Sequence, residues 1–457
     1  MNSSPPNCLR PWYQDPFYGA IALLFLLSLG LKFWNLGQFN TLVFDEVYYA
    51  KFANNYWLGK PFFPSHPPLS HYLIALGMGL GSLFPVDPQN LNTLTGSLHS
   101  TWSYRWLNAL TGSFIPLLMA AIVYNLTQRR SLTLLVMSLS LLDGIYLVES
   151  RYALNNIYLV FFGLGGHLGV LAYRHHQKRA YLMSGGVSLG CAGAVKWNGF
   201  AFLLAIYILL LLAWLWPKLL PQGKNPLSVW LNLRPGAIFW FLVFLPLLTY
   251  SLLWIPHLLL NPEYRSLSGF GRIHLETWQY HNRIGNDSTV HPYCSPWYTW
   301  LIMWRPVAYY YQVVQPHGII YDVHSMANPI LLWFSTAALA VGLLAWLLGL
   351  CSAVPCPPPK EISIYLSINY LVNLLPWWKI SRCTFFYHYM PAYLFSWLAL
   401  ALILDRLLHQ TKILPRAVAI GILGLIILGF YYWLPLFLGL PLTPQSFARR
   451  MLLRSWI

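Results

Sequence analysis

The chain alternates between long apolar runs and short polar segments. An α-helix needs roughly 17–25 residues to cross the ~30 Å hydrocarbon core of a bilayer. About eleven runs reach that length, at 17–36, 103–123, 131–148, 153–171, 182–196, 199–216, 236–257, 327–350, 362–378, 387–408 and 413–433. This pattern predicts an all-α polytopic membrane protein with about eleven transmembrane helices, and a single domain that covers residues 1–457.

A shorter apolar piece lies between the first two runs. Residues 69–84, LSHYLIALGMGLGSLF, are rich in Gly and too few for an ordinary span. We predict an interfacial or re-entrant helix there. It falls inside the first of two long polar loops, 37–102 and 258–326, which we expect to form one functional face.

Basic residues are concentrated in alternate loops, at 124–131, 172–181, 217–235, 351–361 and 405–416. The positive-inside rule then places the N-terminus in the cytoplasm and, with an odd number of spans, the C-terminus outside. Most remaining polar candidates fall on the outer face: Asp45, Glu46, His66, Asp143, Glu149, Arg151, Lys196, the 258–326 loop and residues 382–388. Asp15, Glu361 and Asp405 stay inside.

Composition agrees with a membrane protein, because 57% of residues are hydrophobic and only 9% are charged, against about a quarter charged in soluble domains. The net charge of +16 is explained by cytoplasmic loops, so no nucleic-acid partner is expected. No small-residue cleavage site follows the first apolar run, which favours a retained helix. Six scattered cysteines predict neither a disulfide framework nor a zinc site.

Two adjacent carboxylates, Asp45 and Glu46, follow the first predicted span in the string VFDEVYYAK. Only 12 of the 457 residues are acidic, and ionisable groups beside a bilayer are costly and usually functional. The alternative is an ordinary solvated start of a loop. The pair is therefore the leading candidate for chemistry.

Seven blocks in order, from about residue 40 to 441, carry a family resemblance. They are FDEVYYAKFANNYWLGKPFF with HPPL, YRWLNALTGSFIPLL, LDGIYLVESRYALNNIYLVFF, GCAGAVKWNGFAF, HPYCSPWYTWLIMWRPVAYYY, LPWWKISRCTFFYHYMPA and YYWLPLFLGLPL. The set resembles the dolichyl-phosphate-mannose protein mannosyltransferases of the GT-C superfamily. The 258–326 loop is too short for the β-trefoil domain of eukaryotic members, which indicates the compact bacterial form.

The resemblance implies a GT-C bundle that transfers mannose, with inversion, from polyprenyl-phosphate-mannose to Ser or Thr hydroxyls of polypeptides outside the plasma membrane. A sugar phosphate already has a good leaving group, so one base suffices. The resemblance assigns that base to Asp45, and we expect Glu46 to support it by binding the acceptor or a sugar hydroxyl. The family's Asp and Lys in this region are Pro64 and His71 here, so their roles do not carry over.

The leaving phosphate requires fixed positive charge. Arg105, Arg151, Lys196 and Arg382 are the available external cations. For donor phosphate or sugar binding we predict Arg382 first, Lys196 next, and further Arg151, His66, His388 and Tyr389. Alternatives remain for each: snorkelling at the interface, an ion pair with Asp143 or Glu149, or a purely structural turn at His66.

The sequence lacks the motifs that are typical of other classes of function. We find no P-loop, dinucleotide-binding, HExxH or DxD motif, so neither a cofactor nor a metal is expected. A GT-C transferase that modifies a glycolipid or lipid A is the nearest alternative. A secondary transporter should show an internal repeat with paired broken helices, and the sequence shows none.

Overall fold

The computed structural model describes residues 15–220, 223–285, 290–347 and 360–457. Over its described residues, each predicted span coincides with a helix or a helix pair. Residues 348–350, the end of the span predicted at 327–350, and most of the basic loop at 351–361 lie outside the described residues. The helices are α1 Pro16–Phe33, α2 Glu46–Leu58, α3 Leu69–Gly81, α4 Thr101–Ser113, α5 Ile115–Thr127, α6 Arg130–Leu141, α7 Gly144–Arg151, α8 Asn156–His176, α9 Arg179–Val195, α10 Phe200–Leu219, α11 Pro235–Ala237, α12 Leu245–Leu260, α13 Leu267–Arg283, α14 Pro329–Leu347, α15 Lys360–Leu374, α16 Met390–Leu408, α17 Ile413–Leu438 and α18 Pro444–Arg450. A π-helical stretch, Ile238–Phe244, joins α11 to α12.

Within the described ranges, seven continuous helices are long and apolar enough to cross a membrane. They are Pro16–Phe33, Thr101–Thr127, Asn156–His176, Trp197–Leu219, Pro235–Leu260, Phe386–Leu408 and Ile413–Leu438. An eighth span is formed if α6 and α7, bent by 60°, are taken together. The multi-pass all-α architecture is thereby confirmed. The predicted number of eleven spans is not confirmed, since α9 and α15 have only 17 and 15 residues.

Small residues allow α8 and α9 to pack closely. A Cβ atom on Gly169 would lie 2.6 Å from the Cα of Gly185, so a larger residue at 169 would collide with the backbone of α9. Close approach through small residues is typical of helix pairs in membranes, where dispersion replaces the hydrophobic effect as the driving force. This pair leads directly to Lys196, which follows the last residue of α9.

Three ion pairs gather at one end of the bundle. Arg130 binds Asp15 at 2.8 Å, Arg174 binds Glu361 at 2.5 Å, and Arg129 binds Asp405. These three acids are the ones predicted for the inner face. Their arginines belong to the basic loops, so the charge pattern in the sequence corresponds to one physical end of the molecule.

The opposite end carries Asp45 and is covered by short elements. The predicted helix at 69–84 is α3, which is shorter than a span and apolar. Two antiparallel hairpins, which the all-α prediction missed, lie in the two long loops: β1 Leu91–Asn92 with β2 His99–Ser100, and β3 Val307–Val314 with β4 Ile319–Ser325. Local apolar patterns indicated neither.

A disulfide between Cys294 and Cys383 connects the segment after α13 to the segment before α16. This disulfide was not predicted from the sequence. The two cysteines are 89 residues apart, so their spacing contains no signal, and the tertiary fold alone brings them together. Cys191 is free, and Cys8, Cys351 and Cys356 lie outside the described residues.

Candidate active site

Asp45 is presented by an unusual backbone conformation at the start of α2. The preceding residue, Phe44, has a φ of 51°, in the left-handed region that non-glycine residues rarely adopt. Its ring stacks on Tyr309 of β3, with centroids 4.3 Å apart and planes 9° apart. Such backbone strain costs about 1–3 kcal/mol and is concentrated at functional sites. The stack therefore holds the strained turn that aims Asp45.

Asp45 as a whole residue is partly exposed, and its side chain does not cap α2. Among the described residues, none donates a hydrogen bond to it. Burial among surrounding protein atoms raises the pKa of Asp45 to about 6, and the positive charge of Lys196 opposes that rise. A carboxylate with free lone pairs and a pKa nearer neutrality is suited to accept a proton.

Glu46, in contrast, forms a buried ion pair. Its carboxylate forms a bidentate ion pair with Arg105, at 2.8 Å to Nε and 2.7 Å to Nη2, and both side chains are buried. It also accepts hydrogen bonds from the backbone N–H groups of Val43 and Ala153, each at 2.8 Å. With both oxygens occupied, Glu46 does not fit the expected contact with acceptor or sugar. It positions Asp45 instead, and Arg105 is its partner rather than a phosphate ligand.

Breaking this ion pair should destabilise the fold. Removing one partner of a buried pair costs about 3–5 kcal/mol, because the other charge is left uncompensated. We expect Glu46→Gln to lower the thermal unfolding midpoint in detergent markedly. Glu276→Gln is the matched control, because the pair of Glu276 with Arg272 is exposed and long, at 3.7 Å, and such pairs contribute at most about 1 kcal/mol. Equal midpoints for the two variants would contradict the assignment.

Lys196 lies in the junction between α9 and α10 and is buried. Its Nζ is 5.7 Å from the centroid of the Tyr387 ring and donates to Asn156 Oδ1 at 3.4 Å. Its charge favours the ionised form of Asp45. The structure thus brings the predicted lysine to the predicted base, although 150 residues separate them in the sequence.

Arg382 contributes a second cation on the same side. It is partly exposed, and its charge acts on Tyr49, Tyr387 and Lys196. Within the described part of the chain, no ion pair joins Arg382 to Asp143 or Glu149. The alternative reading of Arg382 as a structural ion-pair partner of those acids is therefore not supported.

His66 faces these cations from the first long loop. Its ring stacks on His281 of α13, with centroids 4.9 Å apart. Burial and the positive charge of Lys196 lower the pKa of His66 well below its usual value, which keeps the imidazole neutral. His281 was not predicted from the sequence; it bonds through Nε2 to the carbonyl of Ser65 at 2.8 Å.

Two further residues predicted to bind the donor, His388 and Tyr389, are packed among aromatic rings. The ring of His388 lies between Trp300, at 6.1 Å and nearly parallel, and Trp377, at 4.4 Å. The hydroxyl of Tyr389 pairs with that of Tyr370 at 2.8 Å, and its side chain is fully buried. The predicted donor-binding role of both residues stays a prediction, and the charges of Lys196 and Arg382 act on His388. Their neighbour Tyr387, which the sequence analysis passed over, contacts Lys196.

Arg151 also departs from its prediction. Its Nη1 donates to the carbonyl oxygens of Leu31 at 3.2 Å and Lys32 at 3.4 Å, and the guanidinium lies 5.8 Å from the ring of Trp34. A cation near unpaired carbonyls at a helix C-terminus is a favourable arrangement. Arg151 therefore binds the C-terminal end of α1, and its predicted contact with the donor stays a prediction.

The cluster combines one unbonded carboxylate, two cations, a neutral histidine and several aromatic rings. A carboxylate of this kind can accept a proton from an attacking group. Lysine and arginine together stabilise an anionic leaving group in a site of low polarity. Among the described residues, no group of three His, Cys, Asp or Glu side chains could hold a metal ion.

Comparisons with known proteins agree over the whole chain. The sequence model described as dolichyl-phosphate-mannose-protein mannosyltransferase matches residues 22–260, and the one described as the C-terminal four TMM region of protein-O-mannosyltransferase matches residues 266–456. The polyprenol-phosphate-mannose–protein mannosyltransferase of Mycolicibacterium smegmatis is 24% identical over 524 residues, covering 99% of this chain and 95% of that protein.

Two solved structures share the fold. The S. cerevisiae protein O-mannosyltransferase Pmt1-Pmt2 complex bound to the sugar donor gives a TM-score of 0.79 at 16% identity, covering 98% of this chain and 94% of the matched one. ArnT from Cupriavidus metallidurans, bound to undecaprenyl phosphate, gives 0.51 at 15% identity, covering 95% and 74%. At these identities the likeness shows that the chain shares the fold of these two membrane proteins.

Proposed function

The chain belongs to the dolichyl-phosphate-mannose-protein mannosyltransferase family, and from this we propose that Asp45 is the base of its glycosyl transfer. The protein is a membrane glycosyltransferase that moves mannose from polyprenol-phosphate-mannose to protein. Within that activity, the identity of the base, the ligands of the phosphate and the face of the membrane are our proposals. The single observation that carries the base and the phosphate ligands is the unbonded carboxylate of Asp45, on which the positive charge of Lys196 acts.

The step we propose is a direct displacement. A Ser or Thr hydroxyl oxygen attacks the anomeric carbon of mannose from the side opposite the phosphate, and its proton passes to the carboxylate of Asp45. The bond from the anomeric carbon to the phosphate oxygen breaks, and polyprenyl phosphate leaves as an anion. One displacement inverts the anomeric configuration. No acid is needed for the leaving group, in contrast to glycoside hydrolysis.

Lys196 and Arg382 hold the phosphate in this scheme. Arg can bind two phosphate oxygens with its planar fork, whereas Lys supplies a point charge. A neutral His66 adds a hydrogen-bonding group without further charge. The stacked rings of Phe44 and Tyr309 fix the backbone immediately before the base.

A protein acceptor is favoured over a glycolipid or lipid A. The relative that matches 99% of this chain is named as a protein mannosyltransferase, and both matched family descriptions name protein as the acceptor. We further propose that residues 1–457 form one GT-C domain whose loops 37–102 and 258–326 make the catalytic face.

The decisive experiment supplies purified protein with radiolabelled polyprenyl phosphate sugars and a peptide rich in Ser and Thr. We expect label from the mannosyl donor on the peptide, released by β-elimination. The inverted anomer would be identified by NMR of the glycopeptide. Transfer to a glycolipid with none to peptide would overturn the acceptor assignment, and transfer of a different sugar would overturn the donor.

The protein is a multi-pass membrane protein, and we propose that it lies in the plasma membrane with the N-terminus inside and the active site outside. Basic loops paired with acids mark one end of the bundle as cytoplasmic. The opposite end carries the Cys294–Cys383 disulfide, and disulfides persist in oxidising compartments rather than in the cytosol. Two independent signals thus support one orientation.

Labelling of introduced cysteines tests the orientation. In a background with Cys8, Cys191, Cys351 and Cys356 replaced by Ser, we expect Lys60→Cys to react with an impermeant maleimide in intact cells. Gln177→Cys, in a basic loop at the other end, should react only after the cells are permeabilised. Permeabilised cells control for the accessibility of both positions. Labelling of position 177 from outside would invert the topology.

A further inference from the structure

A buried chain of polar contacts leads away from Lys196. The ammonium donates to Asn156 Oδ1 at 3.4 Å, and Asn156 Nδ2 donates to Glu149 Oε2 at 3.1 Å. The other oxygen of Glu149 accepts a hydrogen bond from the hydroxyl of Tyr309. Glu149 is fully buried, and Asn156 and Lys196 are nearly so. The mechanism above uses Lys196 but assigns nothing to Glu149.

The chemistry of the end groups determines how the amide is oriented. An ammonium has only donors, and an ionised carboxylate has only acceptors. Asn156 therefore turns its carbonyl oxygen to Lys196 and its amino group to Glu149. The opposite orientation would place donor against donor and acceptor against acceptor. These directions are the ones expected for a charged lysine and a charged glutamate joined through one amide.

The same series of contacts approaches Asp45 at its other end. Tyr309, which donates to Glu149, stacks on Phe44, and Phe44 immediately precedes Asp45. Glu149 thus contacts Asn156, which binds Lys196, and Tyr309, which packs on the residue before Asp45. In a site of low polarity such a network couples its members more strongly than isolated pairs would.

We propose that Glu149 is a positioning residue that holds the Lys196 ammonium, through Asn156, where the donor phosphate binds. This inference rests on the proposed function, because it takes Lys196 as a phosphate ligand. A buried ammonium without negative charge nearby is costly, and Glu149 adds to the negative charge of Asp45 without touching the ammonium. The Nζ hydrogens that are not donated to Asn156 stay available for phosphate oxygens.

The alternative is that Glu149 only ties β3 to α7 through Tyr309. In that case its loss would lower stability and turnover together. A positioning role predicts a selective result. Donor KM should rise while acceptor KM changes little, because the disturbed group binds only the donor.

The experiment compares Glu149→Gln with the double variant Glu149→Gln/Asn156→Asp, measuring donor KM, acceptor KM and thermal midpoint. Glu149→Gln should raise donor KM about tenfold, the lower end for loss of a charge-assisted contact, with acceptor KM within about twofold. The double variant returns one carboxylate to the network, now in direct contact with Lys196. Its donor KM should fall most of the way back to the native value.

The matched control is Glu149→Gln/Asn155→Asp. Asn155 is adjacent and buried, but its amide donates to the hydroxyl of Tyr49 at 2.7 Å rather than contacting Lys196. A carboxylate there should not restore donor KM. Rescue by both double variants, or by neither, would overturn the proposal. If Glu149→Gln alone does not accumulate, the Asn156→Asp double variant decides: near-native donor KM supports the proposal, and a raised value overturns it.

Lys196→Gln separates this inference from the proposed function. If Lys196→Gln leaves donor KM unchanged, the assignment of Lys196 as phosphate ligand fails. If Lys196→Gln raises donor KM but Glu149→Gln does not, the ligand assignment stands and the positioning role of Glu149 fails. In the Lys196→Gln background, the proposal expects Glu149→Gln to raise donor KM by less than about twofold.

Discussion

Replacing Asp45 by Asn should lower turnover by about 10²- to 10⁴-fold, the usual contribution of a general base. The substitution keeps the shape of the side chain and removes its ability to accept a proton. Donor KM should change little, because Lys196 and Arg382 remain in place. Initial rates of mannose transfer at matched expression measure the effect.

Asp87→Asn is the matched control. Asp87 lies in the same loop, is exposed and caps a short helix through its side chain, a role that Asn also fills. It should retain turnover within about twofold. Comparable turnover in Asp45→Asn would exclude Asp45 as the base.

The pH profile of the native enzyme provides a second check on Asp45. Burial raises the pKa of Asp45 from 3.8 to about 6, so the carboxylate is protonated, and the base lost, as pH falls through about 6. Below that pH the rate should fall about tenfold per unit. An unperturbed aspartate would lose activity only near pH 4. The residual activity of Asp45→Asn should not show this fall in rate at acid pH.

Loss of Arg382 should weaken use of the donor more than use of the acceptor. A charge-assisted contact contributes about 1.5–3 kcal/mol, so Arg382→Ala should raise donor KM by about 10- to 150-fold. Arg382→Lys keeps the charge but loses the planar fork, and it should recover only part of that loss. Donor and acceptor KM, kcat and the thermal midpoint are measured for both variants.

Lys379→Ala removes the same charge from the same segment and is the control for Arg382. Lys379 is exposed, with its ammonium 5.8 Å from the ring of Trp378, and its loss should leave donor KM within about twofold. An unchanged donor KM and kcat in Arg382→Ala would remove Arg382 from the site. A lower thermal midpoint with unchanged donor KM would indicate a structural role instead.

The contrast between Asp45 and Glu46 shows why adjacent acids need not share a role. α2 begins at Glu46, which turns into the bundle toward Arg105. Asp45 stays at the strained turn with its carboxylate unbonded. One position along the chain thus separates a buried counter-ion from the candidate base, and only the direction of the backbone at Phe44 distinguishes them.

The sequence alone determined the features that depend on local composition. The lengths of apolar runs located the helices, because a span must be apolar over most of its length. The clustering of Lys and Arg in alternate loops indicated which polar segments share an end of the bundle. The ordered blocks identified the family and singled out Asp45, Lys196 and Arg382, which the structure brings to one cluster.

Only the tertiary structure decided which polar side chains are free and which are occupied. Glu46 meets Arg105 across 59 residues, Cys294 meets Cys383 across 89, and Tyr309 meets Glu149 across 160. The local pattern of hydrophobic and polar residues does not predict such pairings. His388 and Tyr389 carry the same chemistry whether they bind a ligand or pack against aromatic rings. The outcome depends on long-range contacts, because a buried polar group must find whatever partner the fold places beside it.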